Sequence, residues 1–431
     1  MKCLNDLIYL LALIAISPKI LYRVIMHNRY RHGWSERLGK IRRNFPDKKC
    51  IWIHAVSVGE VNATKTIIAE LKKQLPQYEI ILSATTDTGI EQANKLYGKE
   101  LKVFYFPFDF SFIVHRAFKR LKPNICLLME LEVWPNFTSR AHRLKIPVVV
   151  VNGRISDRSF PRYNLVKFFV KPTFKKVPLF LAQTAEYADR FLALGGHTKA
   201  AVITGSLKYD TAQVADKVEG ADKLAAQLNI AGRRLWVAGG TGPNEEKIIL
   251  DVFKKLKQQE KYGNLRLAIV PRKPERFNEV ADLITQSGFE QTRYSRIKSG
   301  GQSTETNKDT VILGDTMGDL RKFYSLATIV FVGRSLVPMG GSDMMESTAM
   351  GKCTIFGPHT FNFKETVKSL LLSQGAIEVK NAEKLYETIQ NCLDQPQFAQ
   401  QIASAGQKVI KDNQGATQKS VSAIINLLKE K

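Results

Sequence analysis

Residues 50–60 read CIWIHAVSVGE: an apolar run that stops at a turn containing Ser57 and Gly59. Residues 61–74 (VNATKTIIAELKKQ) then carry apolar side chains at helical spacing. A short apolar strand followed at once by an amphipathic helix is the repeating unit of a parallel sheet, because parallel neighbours need a crossover between them. Outward from this stretch the unit recurs. Glu79–Ala84 (EIILSA) is a strand, and Thr85-Thr86-Asp87-Thr88 caps the helix after it. Leu101–Phe106, Ile125–Met129, Ile146–Asn152, Leu179–Gln183 and Ala201–Thr204 continue the series. Residues 211–233 are weakly apolar, rich in Ala, Lys and Asp, and read as helical. The alternation restarts with Leu235–Ala238, Leu265–Val270, Gln291–Tyr294, Val311–Leu313, Ile329–Val332 and Thr354–Phe356. The fold class is α/β: two facing Rossmann-like domains, sheets covered on both faces, with ligands expected beyond the carboxyl ends of the strands. Lys298–Asp309, rich in Ser, Gly and Thr, reads as a surface loop.

The chain has 431 residues, 44 % hydrophobic and 24 % charged, an ordinary globular composition. That excludes a disordered, collagen-like or disulfide-stapled chain. Its five cysteines are widely spaced with no CxxC pair, which argues for a reducing compartment and against a cysteine metal site. The net charge of +24 implies anionic partners: nucleic acid, acidic lipid or a phosphorylated substrate. Residues 1–50 hold eleven Lys/Arg against three Asp/Glu, a net +8, directly around an apolar segment.

That segment, Leu7–Ile16, is too short to cross about 30 Å of hydrocarbon. Lys19, Arg23, His27 and Arg31 recur every fourth residue and so share one helical face. The pattern predicts an N-terminal membrane-anchor helix whose basic collar rests on anionic headgroups, over residues 1–30. The domains then run 31–215 and 216–431. Against a nucleic-acid partner, no aromatic-interleaved basic stretch or known module appears.

The strand-end loops carry the candidate chemistry. Glu60 sits at a helix amino terminus just past the first strand, where it can act as a general base or simply complement the helix dipole. Gly59–Thr66 mimics a phosphate-binding P-loop, but Thr64 replaces its second glycine and Glu60 would face the phosphates. Ile125–Met129 runs into Glu130-Leu131-Glu132; on an extended strand end the two carboxylates would point the same way, about 7 Å apart. Lys208, in Thr204–Asp210 (TGSLKYD), is a candidate cation for a phosphate or carboxylate. In the second half, Gly239–Glu246 (GGTGPNEE) links a strand to a helix and its backbone N–H groups suggest an anion site. Pro271–Arg276 (PRKPER) presents up to three cations, Gly314–Leu320 (GDTMGDL) is a strand-loop-helix turn, and Gly340–Glu346 (GGSDMME) puts a diglycine before a helix. Four such loops suggest a nucleotide-binding domain.

Taken in order, RYRHGWSERLGK, HAVSVGE, PFD, MELEVWPN, VNGRISDRS, TGSLKYD, PRKPERF, LGDTMGDL, GGSDMME and FGPHTFNF resemble the bacterial 3-deoxy-D-manno-octulosonic acid (Kdo) transferases over nearly the whole chain. The resemblance implies a glycosyltransferase of the GT-B fold, anchored at the cytoplasmic face of the inner membrane. It implies transfer of Kdo from CMP-Kdo to a lipid A precursor (lipid IVA), with inversion and without a metal or other cofactor. Carried over by motif, Glu60 is the general base, and Glu130 and Lys208 stabilise the transition state. The donor's CMP meets Pro271 and Arg272, then Met317, Gly318 and Asp319, then Asp343, Met344, Met345 and Glu346. The chain departs from the family pattern at Leu131, usually Thr, and at Ser342 and Asp343, usually His and Asn in a GGHNPLE loop. Asp319 replaces a usual Glu and Lys273 a usual His. The alternative is another GT-B enzyme using a different nucleotide sugar.

Overall fold

The apolar run at 50–54 is buried throughout, because β1 (Lys49–His54) lies inside a sheet covered on both faces. Successive side chains alternate between two cores. Ile51 and Ile53 join Val61, Ile67 and Leu71 of the helix Val58–Gln74. Trp52 points the other way, its ring packed among Phe104, Phe106, Phe118 and Phe137 at centroid distances of 5.0–5.9 Å. Its indole N–H donates to Ser83 Oγ at 2.8 Å. This computed structural model describes residues 5–11, 14, 17, 22, 26, 32–215, 217–300 and 310–429.

The strands following β1 are β2 (Tyr78–Ala84), β3 (Lys102–Tyr105), β4 (Ile125–Met129), β5 (Val148–Gly153), β6 (Leu179–Ala182) and β7 (Ala201–Ile203). They form one sheet in the order β3-β2-β1-β4-β5-β6-β7, with every pair parallel. A second parallel sheet, β10-β11-β9-β8-β12-β13-β14, is built from β8 (Leu235–Thr241), β9 (Arg266–Pro271), β10 (Glu290–Arg293), β11 (Thr310–Leu313), β12 (Ile329–Val332), β13 (Cys353–Phe356) and β14 (Ile377–Glu378). In the first sheet the strand order reverses between β1 and β4; in the second it reverses between β8 and β12. Chain leaves these neighbouring strands in opposite directions, which opens a crevice at their carboxyl ends.

The two-sheet α/β expectation holds, with differences at the joints. Residues 211–233 are not one helix: Leu207–Thr211 and Ala221–Gln227 are helical, and Gly220 takes φ +78 just before the second. The strand β14 escaped the sequence reading because a two-residue edge carries no apolar pattern. The second domain was expected to run from 216 to 431. The structure instead divides into Met1–Thr211 with Asn413–Lys431, and Ala212–Asp412. The terminal helix Ala416–Lys429 buries Ala416, Val421 and Ile424 in the β1 core. Asp210 accepts the Gly415 and Thr417 N–H groups at 2.7 and 2.5 Å, capping that helix from the first unit. The apolar spacing of 416–429 announces an amphipathic helix but not the sheet it covers.

Of the expected anchor, residues 1–4, 12–13, 15–16, 18–21, 23–25 and 27–31 lie outside the described residues, and Lys19, Arg23, His27 and Arg31 are among them. Among the described residues no helix is long and apolar enough to cross a membrane. Residues 5–11 are helical and leave Leu7, Ile8, Leu10 and Leu11 about half exposed. Their polar side docks: Asp6 accepts Ser111 N at 2.8 Å and Asn136 Nδ2 at 2.9 Å, and Tyr9 OH donates to Asp109 at 2.9 Å. Two of the arginines that follow the expected anchor are structural. Arg43 pairs with Glu79 at 2.6 Å, and the buried Arg37 guanidinium stacks 4.1 Å over Tyr105. In the expected loop 298–309, residues 301–309 lie outside the described residues, and Lys298 ends the helix Tyr294–Lys298. The cysteines, far apart in sequence, include one close pair: Cys353 and Cys392 have sulfurs 3.7 Å apart, both free thiols.

Ile424 is fully buried among first-unit side chains. Ile424→Ala should cost about 2–5 kcal/mol, read as a lowered urea midpoint in the unfolding transition followed by tryptophan fluorescence. A loss under about 1 kcal/mol would show that the terminal helix lies loosely on the sheet.

Candidate active site

At the carboxyl end of β1 the chain turns through Ala55 and Val56 into Ser57, which is extended, and enters the helix Val58–Gln74. Ser57-Val58-Gly59-Glu60 is a Ser-x-x-Glu sequence, which folds a first-turn carboxylate back over the helix start. Glu60 Oε2 accepts the Val56 N–H at 2.9 Å and Oε1 accepts the Ser57 hydroxyl at 3.0 Å. Burial pushes the Glu60 carboxyl up to about 7; those two hydrogen bonds oppose the rise, and the charges of Glu130 and Glu132 add to it. The P-loop mimic is ordinary helix: Thr64 is buried and donates to Val61 O at 2.7 Å.

The strand β4 ends at Met129. Glu130 then takes φ +54, and Glu132 N donates to Met129 O at 3.3 Å, so residues 130–132 form a turn. The expected extended i, i+2 pair of carboxylates is therefore replaced by two carboxylates on a turn. Glu132 accepts the Trp134 indole N–H at 3.0 Å, and burial raises its pKa. Its Oε2 lies 4.0 Å from Nε2 of His54, the last residue of β1. His54 is wholly buried and stacked on Phe106 at 3.8 Å. Its Nδ1 lies 3.2 Å from the Ser83 carbonyl, which can only accept, so Nδ1 carries the proton and the Nε2 lone pair faces Glu132. Burial pushes the imidazole down to about 3, so it is neutral at physiological pH. Among the described residues Nε2 has no hydrogen-bond partner.

Lys208 reaches this end of the sheet on the short helix Leu207–Thr211, which packs against the Glu60 helix. Asn152, at φ +57 near the end of β5, accepts the Leu207 N–H at 3.0 Å and fixes the helix start. The fold thus brings Glu60 and Glu130 to the carboxyl ends of β1 and β4, close enough for their charges to interact, and sets Lys208 on a helix packed against the Glu60 helix. The sequence reading passed over His54, although a polar residue ending an apolar strand was its signal.

In the second unit the Gly239–Glu246 loop departs from expectation. Its anion is built in: the fully buried Glu245 carboxylate accepts the backbone N–H groups of Gly242, Arg334, Ser335 and Leu336. This ties the loop after β8 to the loop after β12. Gly240, at φ +66, passes so close to Ser342 that a Cβ would lie 2.7 Å from its hydroxyl, which donates to the Gly240 carbonyl at 2.7 Å. Of the three cations in PRKPER, Arg276 is consumed: it grips buried Glu246 at 2.6 and 3.1 Å and also pairs with Glu279. Pro271 closes β9, and Arg272 is exposed beyond it. Met344 and Met345 are buried, whereas Asp343 and Glu346 are partly exposed. Asp343 accepts the Met345 N–H at 2.9 Å. Arg272, Asp343 and Glu346 converge on Tyr324, a residue with no signal in the sequence. Burial raises the pKa of its phenol, Glu346 and Asp343 add to the rise, and Arg272 opposes it. Asp319 is buried and saturated: it accepts Lys298 at 2.6 Å, Thr316 at 2.7 Å and Lys322 at 2.9 Å, and these partners overcome burial to hold its carboxyl down near 2. Met317 and Gly318 stand exposed beside it, Gly318 at φ +90. Among the described residues no group of three or more His, Cys, Asp or Glu could hold a metal ion.

Residues 32–211 match the family model described as 3-deoxy-D-manno-octulosonic-acid transferase, and residues 245–409 match that of the group 1 glycosyl transferases. The chain is 35% identical over 403 residues to the 3-deoxy-D-manno-octulosonic acid transferase of Haemophilus influenzae, covering 93% of this chain and 92% of that one. It is 29% identical to the transferase of the same name from Bordetella pertussis, over 97% and 98% of the two chains. The solved structure of a glycosyltransferase from Rickettsia africae shares the fold, with TM-score 0.55 at 15% identity over 89% of this chain and all of the other.

The raised Glu60 pKa fixes the sign of a stability effect. Below pH 4.5 the carboxyl is protonated in both states; as pH rises from 4.5 to about 7 only the unfolded chain ionises, and stability falls. Glu60→Gln removes that loss. Its stability relative to the parent chain should grow by about 1–3 kcal/mol between pH 4.5 and 7.5 in urea melts, then level off. A difference independent of pH would show that Glu60 titrates normally.

Proposed function

The chain belongs to the 3-deoxy-D-manno-octulosonic-acid (Kdo) transferase family and is a glycosyltransferase of lipopolysaccharide biosynthesis, and from that premise we propose that it moves Kdo from CMP-Kdo to the lipid A precursor lipid IVA, inverting the anomeric centre, with Glu60 as general base. The observation that carries the reading is the Glu60 carboxylate itself. It sits at the β1/β4 crevice, oriented by the Val56 N–H and the Ser57 hydroxyl, with its pKa near 7. A base of that pKa is substantially ionised at neutral pH and accepts a proton more readily than an ordinary carboxylate. The acceptor hydroxyl attacks the anomeric carbon, its proton passes to Glu60, and the bond to the CMP phosphate breaks. A single displacement inverts the centre and needs one base. Glu130 and Lys208 supply charge around the developing transition state.

CMP-Kdo is proposed to lie against the strand-end loops of the second unit. Arg272 meets its phosphate, with Pro271 beside it. Met317 and Gly318 offer exposed backbone, while Asp319 holds their turn through Lys298 and Lys322. In the loop Asp343, Met344, Met345 and Glu346, the two methionines are buried, so their part is played by main chain. Fixed cations and backbone dipoles stabilise the leaving phosphate, and no metal is required. The acceptor is membrane-borne, and residues 1–30 act as an anchor at the cytoplasmic face of the inner membrane, on anionic lipid. The exposed Leu7, Ile8, Leu10 and Leu11 and the basic first fifty residues support this.

Mass spectrometry of lipid IVA incubated with the purified chain and CMP-Kdo should show added Kdo. Glu60→Ala and Glu60→Gln should lower turnover about 10²–10⁴-fold while leaving CMP binding intact. Activity within threefold of the parent chain would remove Glu60 as the base.

Arg272→Ala should weaken CMP binding about ten- to a hundredfold in calorimetric titrations, with little effect on the acceptor. Unaltered affinity would take Arg272 out of the donor site. EDTA should leave the rate unchanged; loss of turnover restored by Mg²⁺ would overturn the metal-free mechanism.

A further inference from the structure

The strand β13 opens on Cys353, which enters the same core as Ile355 by the two-residue alternation of a strand. On the helix Ala382–Asp394, Leu385, Ile389 and Cys392 fall on one buried stripe at helical spacing. Strand and helix thus bring together two thiols 39 positions apart in the chain. Their sulfurs lie 3.7 Å from each other, each residue is 2% exposed, and neither is in a disulfide. Bonded sulfurs stand about 2 Å apart, so a small side-chain movement would join them. The thiols are not sealed in. They share the wall of a cavity of about 270 Å³ with Arg234, Thr328, Lys352 and Gln400. Arg234, Thr328 and Gln400 are exposed. Arg234 precedes β8, Thr328 precedes β12 and Lys352 precedes β13, so the cavity opens at the amino ends of these strands, opposite the end that carries Arg272. Its lining holds two cations and, among the described residues, no carboxylate. Asp394, at the end of the Cys392 helix, is engaged by Lys261 at 2.7 Å and Tyr262 at 2.8 Å. The hydrogen bond from Cys353 favours a thiolate on Cys392 against the effect of burial, and it holds the proton on Cys353. By contrast, burial in the Trp52 core pushes the Cys50 thiol up to about 12.

We propose that Cys353 and Cys392 form a redox site, at which a small disulfide bearing carboxylates enters the cavity and is reduced to two thiols while the pair closes into a disulfide. The Cys392 thiolate attacks one sulfur of the incoming disulfide, whose S–S bond breaks and releases a first thiolate. The Cys353 sulfur gives up its proton and attacks Cys392, which forms the internal bond and expels the second thiolate. The two cysteines lose two electrons, the incoming disulfide gains them, and the two cysteine protons end on the two released thiols. Arg234 and Lys352 select the oxidant, because they attract a negatively charged disulfide and stabilise the thiolates that leave it. In a reducing compartment the resting form is the dithiol, and the pair responds when small disulfides accumulate. The closed bond fastens β13 to the helix Ala382–Asp394 and shortens the unfolded chain across 39 positions. The site stands apart from the sugar-transfer reading, since the loops assigned to the donor lie at the other end of the same sheet.

The test uses the full reduced chain, with oxidised glutathione as the anionic probe and cystamine as a cationic one. Remaining thiols are alkylated in denaturant, and the chain is digested with trypsin. Mass spectrometry should then find peptides 353–364 and 385–408 joined, with Cys50 and Cys126 alkylated. At low salt the bond should form about tenfold faster with oxidised glutathione than with cystamine, each rate divided by that with 2-mercaptoethanol. Arg234→Gln should cut this advantage about threefold or more, as should high salt. The oxidised chain should keep its circular dichroism spectrum and unfold at a higher urea midpoint, with dithiothreitol restoring the original one. Cys353→Ala should halt the reaction at glutathione held on Cys392. Thiols that react only in urea strong enough to unfold the chain would overturn the proposal and make the pair ordinary core. Glutathione that persists on Cys392 of the parent chain would overturn the internal bond. Equal normalised rates with the two probes would overturn the choice of an anionic disulfide.

Discussion

Every strand pair in both sheets is parallel, and the rest of the molecule follows from that. Parallel neighbours cannot be joined by a tight turn, so each strand must be followed by an element that crosses back over a face. Both faces are then covered, and strands such as β1, β4 and β12 have to be apolar along their length. Polar chemistry has nowhere to go except the strand ends. Where the strand order reverses, between β1 and β4 and between β8 and β12, no crossover covers the carboxyl ends, and Glu60 and Glu130 lie at the first of these.

The buried carboxylates divide by what satisfies them. Glu245 is enclosed by four backbone N–H groups, Glu246 by a bidentate arginine, and Asp319 by two lysines and a threonine hydroxyl. These groups hold loops in place, and removing a partner would strand a charge in a poorly solvated site. Glu60 and Glu132 are different. Burial pushes both toward the neutral form, as it does Glu245, but here nearby negative charge adds to the rise. His54 adds a buried lone pair that no neighbour among the described residues uses.

The Glu245 arrangement also explains why glycine-rich loops mislead. GGTGPNEE offers backbone N–H groups to an anion, and its amide at Gly242 does bind one, but that anion is Glu245 three residues on. Sequence shows that a loop offers donors; only the folded chain shows whether something already occupies them.

Sequence alone determined the class of the fold and the position of most strands, because burial on two faces writes itself as runs such as ICLLM at 125–129 and IVFV at 329–332. It placed Glu60, Glu130, Lys208 and Arg272 at strand ends for the same reason, since polarity resumes where burial stops. Tertiary structure alone decided the rest. Glu130 takes φ +54 while its N–H donates to the Val151 carbonyl, and this turned an expected extended pair into a turn. Arg276 and Asp319 found ion-pair partners on other elements, Glu246 and Lys298. The terminal helix returned to the first sheet, and Tyr324 arrived beneath Arg272, Asp343 and Glu346. Local patterning records how much of a residue is buried; it does not record which residue is buried against it.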